Sequence, residues 1–118
     1  MDSILDSVKT SLGLPPDYTP FDVEIQMHIN SVFSTLWELG VGPNTGFEIT
    51  GSKETWADFL PGEPRLNNIK TYIYLRVRLL YDTPSASTAV AAIQDQIKEL
   101  EWRINSTQET IHPPFPEG

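Results

Sequence analysis

The sequence predicts an all-α fold, a small helical bundle with one short N-terminal helix and three main helices. Apolar residues recur at helical spacing in three long segments, residues 21–39, 65–81 and 84–104. Each segment begins at a proline or directly after one, and 118 residues with 39% apolar content suit a single domain. We therefore assign residues 1–104 to one helical domain and residues 105–118 to an extended C-terminal tail.

The first two helices have recognisable ends in the sequence. Residues 2–12 form a short amphipathic helix that Gly13 and the two prolines after it terminate. The second helix, residues 21–39, has Thr19 as its predicted N-cap and Pro20 in its first turn. Its apolar residues follow one another at spacings of three and four, as one stripe: Phe21, Ile25, Ile29, Val32, Leu36 and Leu39.

A long connection, residues 40–64, follows the second helix. It is rich in Gly, Pro, Asn and Ser, and the alternation at residues 46–50 allows one short strand or hairpin. Large apolar residues interrupt its polar sequence: Trp56, Phe59 and Leu60. Connections of this length are uncommon unless they fold locally or bind something. Two interpretations stay open, a contact loop and a segment that only covers the core.

The last two helices are predicted from length and periodicity. Residues 65–81 fit both a strand and a helix pattern, but the run is far longer than a typical strand of ~5–6 residues. The final helix, residues 84–104, has Thr83 as its predicted N-cap and Pro84 in its first turn. Its apolar residues form a seam for another helix: Val90, Ile93, Ile97, Leu100 and Ile104.

The C-terminal tail, residues 105–118, contains three prolines and few apolar residues. It is too poor in apolar residues to fold alone, so we expect an extended segment. One interpretation is that it gains order along a neighbouring chain, and the other is that it is a solubilising end. The first interpretation assigns neighbour contacts to Thr110, Ile111, His112, Pro113, Pro114 and Phe115.

Composition and motifs argue against catalysis. The chain has no cysteine, two histidines and a formal charge of −8. It contains no zinc, calcium, P-loop or dinucleotide-binding motif, so we predict no catalytic residues, no metal and no cofactor. Such an acidic chain is a poor candidate for nucleic-acid binding, and it offers no apolar run of the ~20 residues that a membrane span needs. We expect a soluble non-enzyme.

The aromatic residues point to a surface that meets another chain. Three tryptophans, four tyrosines and five phenylalanines are many for so small a core, and aromatics and arginine are enriched at interfaces. Core filling remains the alternative for each residue taken singly. The candidate contact residues are Phe47, Trp56, Phe59, Tyr72, Arg76, Arg78 and Trp102.

Ordered blocks of sequence carry a family resemblance. The blocks are FDVEI at 21–25, INSVF at 29–33, LGVGP at 39–43, GFEI at 46–49, TWADFL at 55–60, KTYIYLRVRLLYD at 70–82 and ELEWR at 99–103. Together they resemble the head–tail connector, or adaptor, proteins of long-tailed bacteriophages. The resemblance covers roughly residues 2–104 and does not extend to the tail.

The resemblance implies a small helical subunit without catalytic activity. Such subunits form a ring, usually of twelve copies, beneath the portal protein at the capsid vertex. The ring would join the capsid to a completion or terminator protein on the tail side, and DNA would pass through its lumen without specific binding. The expected location is the head–tail interface of the virion, after assembly in the bacterial cytoplasm. An acidic lumen would repel DNA, in keeping with the charge.

A second interpretation comes from another functional class. The same acidic helices would suit a protein-interaction module, such as a phage regulator that binds a host protein. Binding to an isolated portal ring would distinguish the two.

Overall fold

A computed structural model describes residues 3–111, with side chains described as far as residue 105. It contains five helices: α1 (Ile4–Ser11), α2 (Asp22–Glu38), α3 (Trp56–Phe59), α4 (Leu66–Tyr81) and α5 (Ser87–Ile111). The all-α prediction is confirmed. The short strand that the alternation allowed does not form, since the β-pairing within residues 3–111 is one isolated bridge between Ser3 and Thr55. Over the same residues, no helix has both the length and the apolar content needed to span a membrane.

Helix α4 is the centre of the bundle, and α1, α2 and α5 all pack against it. Helices α2 and α5 run antiparallel to α4. Phe21 at the start of α2 contacts Tyr81 at the end of α4, with ring centroids 5.8 Å apart. Tyr72 near the middle of α4 donates a 2.7 Å hydrogen bond to Glu101 of α5. The C-terminal ends of α2 and α5 therefore lie at the same end of the subunit as the start of α4.

A buried lysine fastens α1 to the start of α2. Lys9 is only 1% exposed, yet its ammonium lies 2.8 Å from a carboxylate oxygen of Asp22 and donates a 2.8 Å hydrogen bond to the carbonyl of Pro16. A buried charge is tolerated only when it is paired in this way. Gly13, with φ of +82°, ends α1 as predicted because this backbone region favours glycine.

Two predicted N-caps are wrong. Helix α2 begins after Phe21 and has no side-chain cap, while Thr19 contributes only its carbonyl, which accepts from the Asp22 amide. Helix α5 begins at Ser87, and the Thr83 hydroxyl donates back to the carbonyl of Leu79. Thr83 therefore belongs to the end of α4. A threonine before a proline fits the sequence pattern of an N-cap. Its hydroxyl caps the next helix only if the chain leaves the turn in a direction that brings the helix start within reach.

Helix α5 extends beyond residue 104, the predicted end of the last helix. Helix α5 continues to Ile111, so Thr110 and Ile111 are helical, whereas His112, Pro113, Pro114 and Phe115 lie outside the described residues. Residues 105–111 contain neither proline nor glycine, and adding a turn to an existing helix costs little compared with nucleation. The first strong stop is Pro113, which disfavours helical geometry at the residue before it.

Candidate interaction surfaces

The long connection folds onto α2 by means of one asparagine. The side chain of Asn30 accepts a 2.8 Å hydrogen bond from the Ile49 amide and donates a 3.1 Å bond to the Ile49 carbonyl. Asn30 thus pairs with Ile49 as a neighbouring strand would. This contact holds the segment around Ile49 against α2 without forming a sheet.

Helix α3 then anchors the rest of the connection in the core. Thr55 and Asp58 form a reciprocal capping box at its start. Trp56 is 2% exposed, its indole donates a 3.1 Å hydrogen bond to the Ser7 hydroxyl, and the Lys70 ammonium lies 5.3 Å from its ring centroid. The connection therefore covers the core, which was one of the two interpretations left open.

The predicted contact residues divide into buried and accessible side chains. Trp56, Phe59 and Tyr72 are buried in the core of the subunit. Phe47 and Arg76 are partly exposed, and Arg78 and Trp102 are exposed. With 69% of its surface accessible, Trp102 is the most exposed aromatic side chain up to residue 105.

An open groove lies between α2 and the connection, and we call it the Trp37 groove. It has a volume of about 540 Å³. Its lining comes from Asn30, Phe33, Ser34, Trp37 and residues 44–48. Trp37 is 52% exposed, and its indole donates a 3.2 Å hydrogen bond to the Asn44 carbonyl, which fixes the ring against the wall. Sequence reasoning missed this groove because it exists only once the connection has folded onto α2.

Aromatic stacking forms the floor of the groove. Phe33 of α2 packs against Phe59 of α3 with ring centroids 4.5 Å apart, and Phe47 lies 5.5 Å from Phe33 and 5.0 Å from Phe59. Gly42 passes directly beside Phe59, where a Cβ atom would approach the ring to 3.1 Å. The close packing holds Phe47 in place at the edge of the groove.

Helix α2 also carries an exposed apolar face near its start. Val23 and Met27 are 73% and 67% exposed and lie one helical turn apart. Tyr18 and Phe21 are also exposed near the start of α2, with ring centroids 6.0 Å apart, but Phe21 lies toward Tyr81 of α4 and not beside Val23. Single exposed apolar residues are normal, but two large ones side by side on one helix face favour a contact surface.

A second groove separates α4 from α5 and has a volume of about 460 Å³. Its lining is mixed: Arg76, Leu79, Leu80, Gln94, Ile97, Lys98 and Glu101. Glu101 accepts from Tyr72 and lies 3.5 Å from the guanidinium of Arg76. Burial, reinforced by the hydrogen bond to Glu101, raises the pKa of Tyr72 far above its ordinary value. Trp102 follows Lys98 by one turn of α5 and does not line the groove.

Internal pairing uses much of the positive charge of the chain. Salt bridges engage Lys9, Arg65, Arg76 and Arg103, and Lys70 lies over the ring of Trp56. These are five of the eight basic residues, against 16 acidic ones. Because each ion pair removes one charge of either sign, the formal charge of −8 leaves a negative field around the subunit. Across residues 3–111, no three His, Cys, Asp or Glu side chains come together in a way that could hold a metal ion.

Comparison with known proteins identifies a family. Neither the curated proteins nor the solved structures gave a significant match to the chain. The family model described as "Phage connector protein" matches residues 4–110, which is most of the chain and includes all five helices except the last residue of α5. A match of this extent agrees with the helical fold and the resemblance seen in the sequence. The chain therefore belongs to the phage connector protein family, a family of structural virion proteins that act at the head–tail connection.

Proposed function

We propose that this protein forms a ring below the portal, joins the capsid to the tail and continues the DNA channel. The observation that carries this proposal is the presence of exposed apolar side chains on two different helices that do not pack substantially on each other. Val23 and Met27 lie on α2, and Trp102 lies on α5. A closed ring needs two different, complementary surfaces on every copy, since each subunit meets its neighbours head to tail.

The accessible candidates are the best choices for direct ring contacts. We propose this role for Trp102, Arg76 and Arg78, and for Phe47 at the edge of the Trp37 groove. Large aromatic and arginine side chains contribute most binding energy at interfaces. Trp56, Phe59 and Tyr72 would affect ring contacts through the shape of the folded subunit, because their side chains are buried.

The negative charge suits a channel for DNA. With a formal charge of −8 on each copy, a ring of twelve would repel the phosphate backbone, so DNA would pass without sticking to the wall. The ring would bind the portal on one side and a tail completion or terminator protein on the other. Copies would assemble in the bacterial cytoplasm. The tail residues from Thr110 to Phe115 would contact the portal or an adjacent copy.

Electron microscopy of the protein mixed with purified portal rings tests the proposal. We expect an additional ring of density on the tail-facing side of the portal, with twelve copies when the symmetry is resolved. Co-sedimentation should show saturable binding of the protein to the portal. Absence of binding, together with capture of one defined host protein at comparable concentration, would instead favour the interaction-module interpretation.

A further inference from the structure

The Trp37 groove has the chemistry of a site for a proline-rich peptide. Such peptides bind in grooves lined by aromatic rings, with a few polar groups that fix their direction. Here Trp37 and Phe47 supply the rings, and Asn44 and Ser34 supply polar groups beside them. The indole is held by its hydrogen bond to the Asn44 carbonyl, so little conformational freedom would be lost on binding.

The chain itself supplies a matching peptide. Residues 112–118 read His-Pro-Pro-Phe-Pro-Glu-Gly and follow directly after α5. Proline fixes the backbone near the polyproline II conformation, which lowers the entropy cost of binding in an extended form. We propose that residues 112–118 of one copy bind in the Trp37 groove of a neighbouring copy. This inference rests on the proposed function, since it requires copies that sit side by side in a ring.

Geometry favours a neighbouring copy over the same chain. The Arg65 guanidinium contacts the Ile104 carbonyl, so Ile104 lies level with the start of α4. At 1.5 Å per residue, Ile111 then lies about 10 Å beyond that end of the bundle. The groove is on a flank of α2, at the level where α4 begins, and α2 does not pack substantially on α5. Packed helix axes are ~8–10 Å apart, so the path from Ile111 back to the groove of the same chain is roughly 20 Å.

Over that path Phe115 cannot reach the groove of its own chain, and only the last residues of the peptide could. Phe115 is the fourth residue after Ile111, and four extended residues span at most about 14 Å. Pro113 and Pro114 would reach less far. Helix α5 extends past the end of the bundle, and as an arm it would present the peptide to another molecule. In a ring, each copy would give its peptide to one neighbour and receive a peptide from the other.

Disulfide cross-linking between two single-cysteine variants tests the inference. The natural chain contains no cysteine, so an engineered pair reports one contact. One variant carries Phe115→Cys and an affinity tag, and the other carries Thr45→Cys at the exposed edge of the groove. Both are mixed, assembled on purified portal rings and oxidised, and tagged dimers are then measured on non-reducing gels. Docking should raise the dimer yield on the order of tenfold above the control.

The matched control replaces Thr45→Cys with Ser31→Cys. Ser31 is exposed on the same helix as Trp37 but does not line the groove. Adding Trp37→Ala to the Thr45→Cys chain should lower the dimer yield several-fold, while the circular dichroism spectrum stays unchanged because Trp37 is half exposed.

Each other outcome overturns the inference. A dimer yield equal to that of the Ser31→Cys control, on portals that co-sediment with the protein, refutes groove binding and leaves the proposed ring intact. A disulfide that forms only within one chain carrying both cysteines shows that the peptide folds back on its own body. If the protein does not bind portals at all, the proposed function and this inference fail together.

Discussion

The body of the subunit, residues 3–81, and the arm formed by α5 are held in place in different ways. In the body, α1, α2, α3 and α4 each contribute fully or nearly fully buried side chains to a shared core. In the arm, the buried side chains up to residue 105 are Ile97 and Ile104, and packing is mainly against α4. At about 37 Å, the arm is also the longest element.

This difference indicates which residues can contact another chain without the subunit having to unfold. The aromatic residues Trp56 and Phe59 of the connection are buried in the body, whereas Trp102 of the arm is exposed to solvent. Residue type alone did not separate Trp56 from Trp102 in the sequence, although one is buried and the other is exposed. The four predictions that follow change one side of this comparison, in order of decreasing effect on the free energy of unfolding, and a fifth changes assembly.

The largest effect should come from removing Trp56. Trp56→Ala leaves a cavity in the core. It also removes the hydrogen bond to the Ser7 hydroxyl and the ring beneath the Lys70 ammonium. We expect a loss of about 3–5 kcal/mol in the free energy of unfolding. Urea denaturation followed by circular dichroism measures it. Trp37→Ala is the matched control, with a change under ~1 kcal/mol, since that ring is half exposed. A fully stable Trp56→Ala variant that fails to bind portals would restore Trp56 as a contact residue.

Removing Ile97 should separate the arm from the body. Ile97→Ala deletes one of the two buried anchors of α5, at the edge of the α4–α5 groove. A cost of roughly 2 kcal/mol is expected, near the lower end for such changes, because the groove lets the site relax. Hydrogen exchange measured by mass spectrometry should accelerate mainly in α5. Equal acceleration in α2 would mean that the arm and the body unfold as one unit.

The connection should depend on Asn30. Asn30→Ala removes both hydrogen bonds to Ile49 and leaves its buried backbone groups without those partners. We expect a loss of ~1–2 kcal/mol and faster exchange in residues 44–50. Ser31→Ala, on the exposed neighbouring position, is the control and should change neither quantity. Unchanged exchange in Asn30→Ala would show that the aromatic floor alone holds the connection.

The sequence predicted what depends on periodicity and missed what depends on contacts between distant residues. Apolar spacing was enough for the helices, because any helix must bury such a stripe. The Asn30–Ile49 pair spans 19 residues, and no local pattern indicates it. The cap at Thr83 and the end of α5 were wrong for a related reason. Local sequence rules identify residues that can cap or break a helix. Whether they do so depends on the path of the chain in the folded protein and on how readily an existing helix extends.

The free energy of unfolding should fall at alkaline pH because of Tyr72, which joins the body to the arm through its hydrogen bond to Glu101. The pKa of Tyr72 is raised in the folded state, so the folded subunit keeps this proton where an unfolded tyrosine loses it, from about pH 10 upward. The protonated Tyr72 therefore stabilises the fold fully below pH ~10. As the pH rises above that value, this part of the free energy of unfolding falls by up to about 1.4 kcal/mol per pH unit. Tyr72→Phe should cost ~1 kcal/mol at pH 7 and show a shallower decline between pH 10 and 11. If the free energy of unfolding fell equally with pH in the natural protein and in Tyr72→Phe, Tyr72 would not be the source of the pH dependence.

The smallest effect on stability should accompany a large effect on assembly. Trp102 is exposed on the arm, so Trp102→Ala should change the free energy of unfolding by less than ~0.5 kcal/mol. If the arm supplies a ring contact, loss of an aromatic anchor should weaken assembly on portal rings by about thirtyfold or more, the effect expected of an interface hot spot. Sedimentation with purified portals across a concentration series measures this. Lys98→Ala, one turn earlier on the same exposed side, is the matched control and should weaken assembly far less, because rim charges contribute little to affinity. Normal assembly by Trp102→Ala would move the ring contact away from the arm and toward Val23 and Met27 on the body.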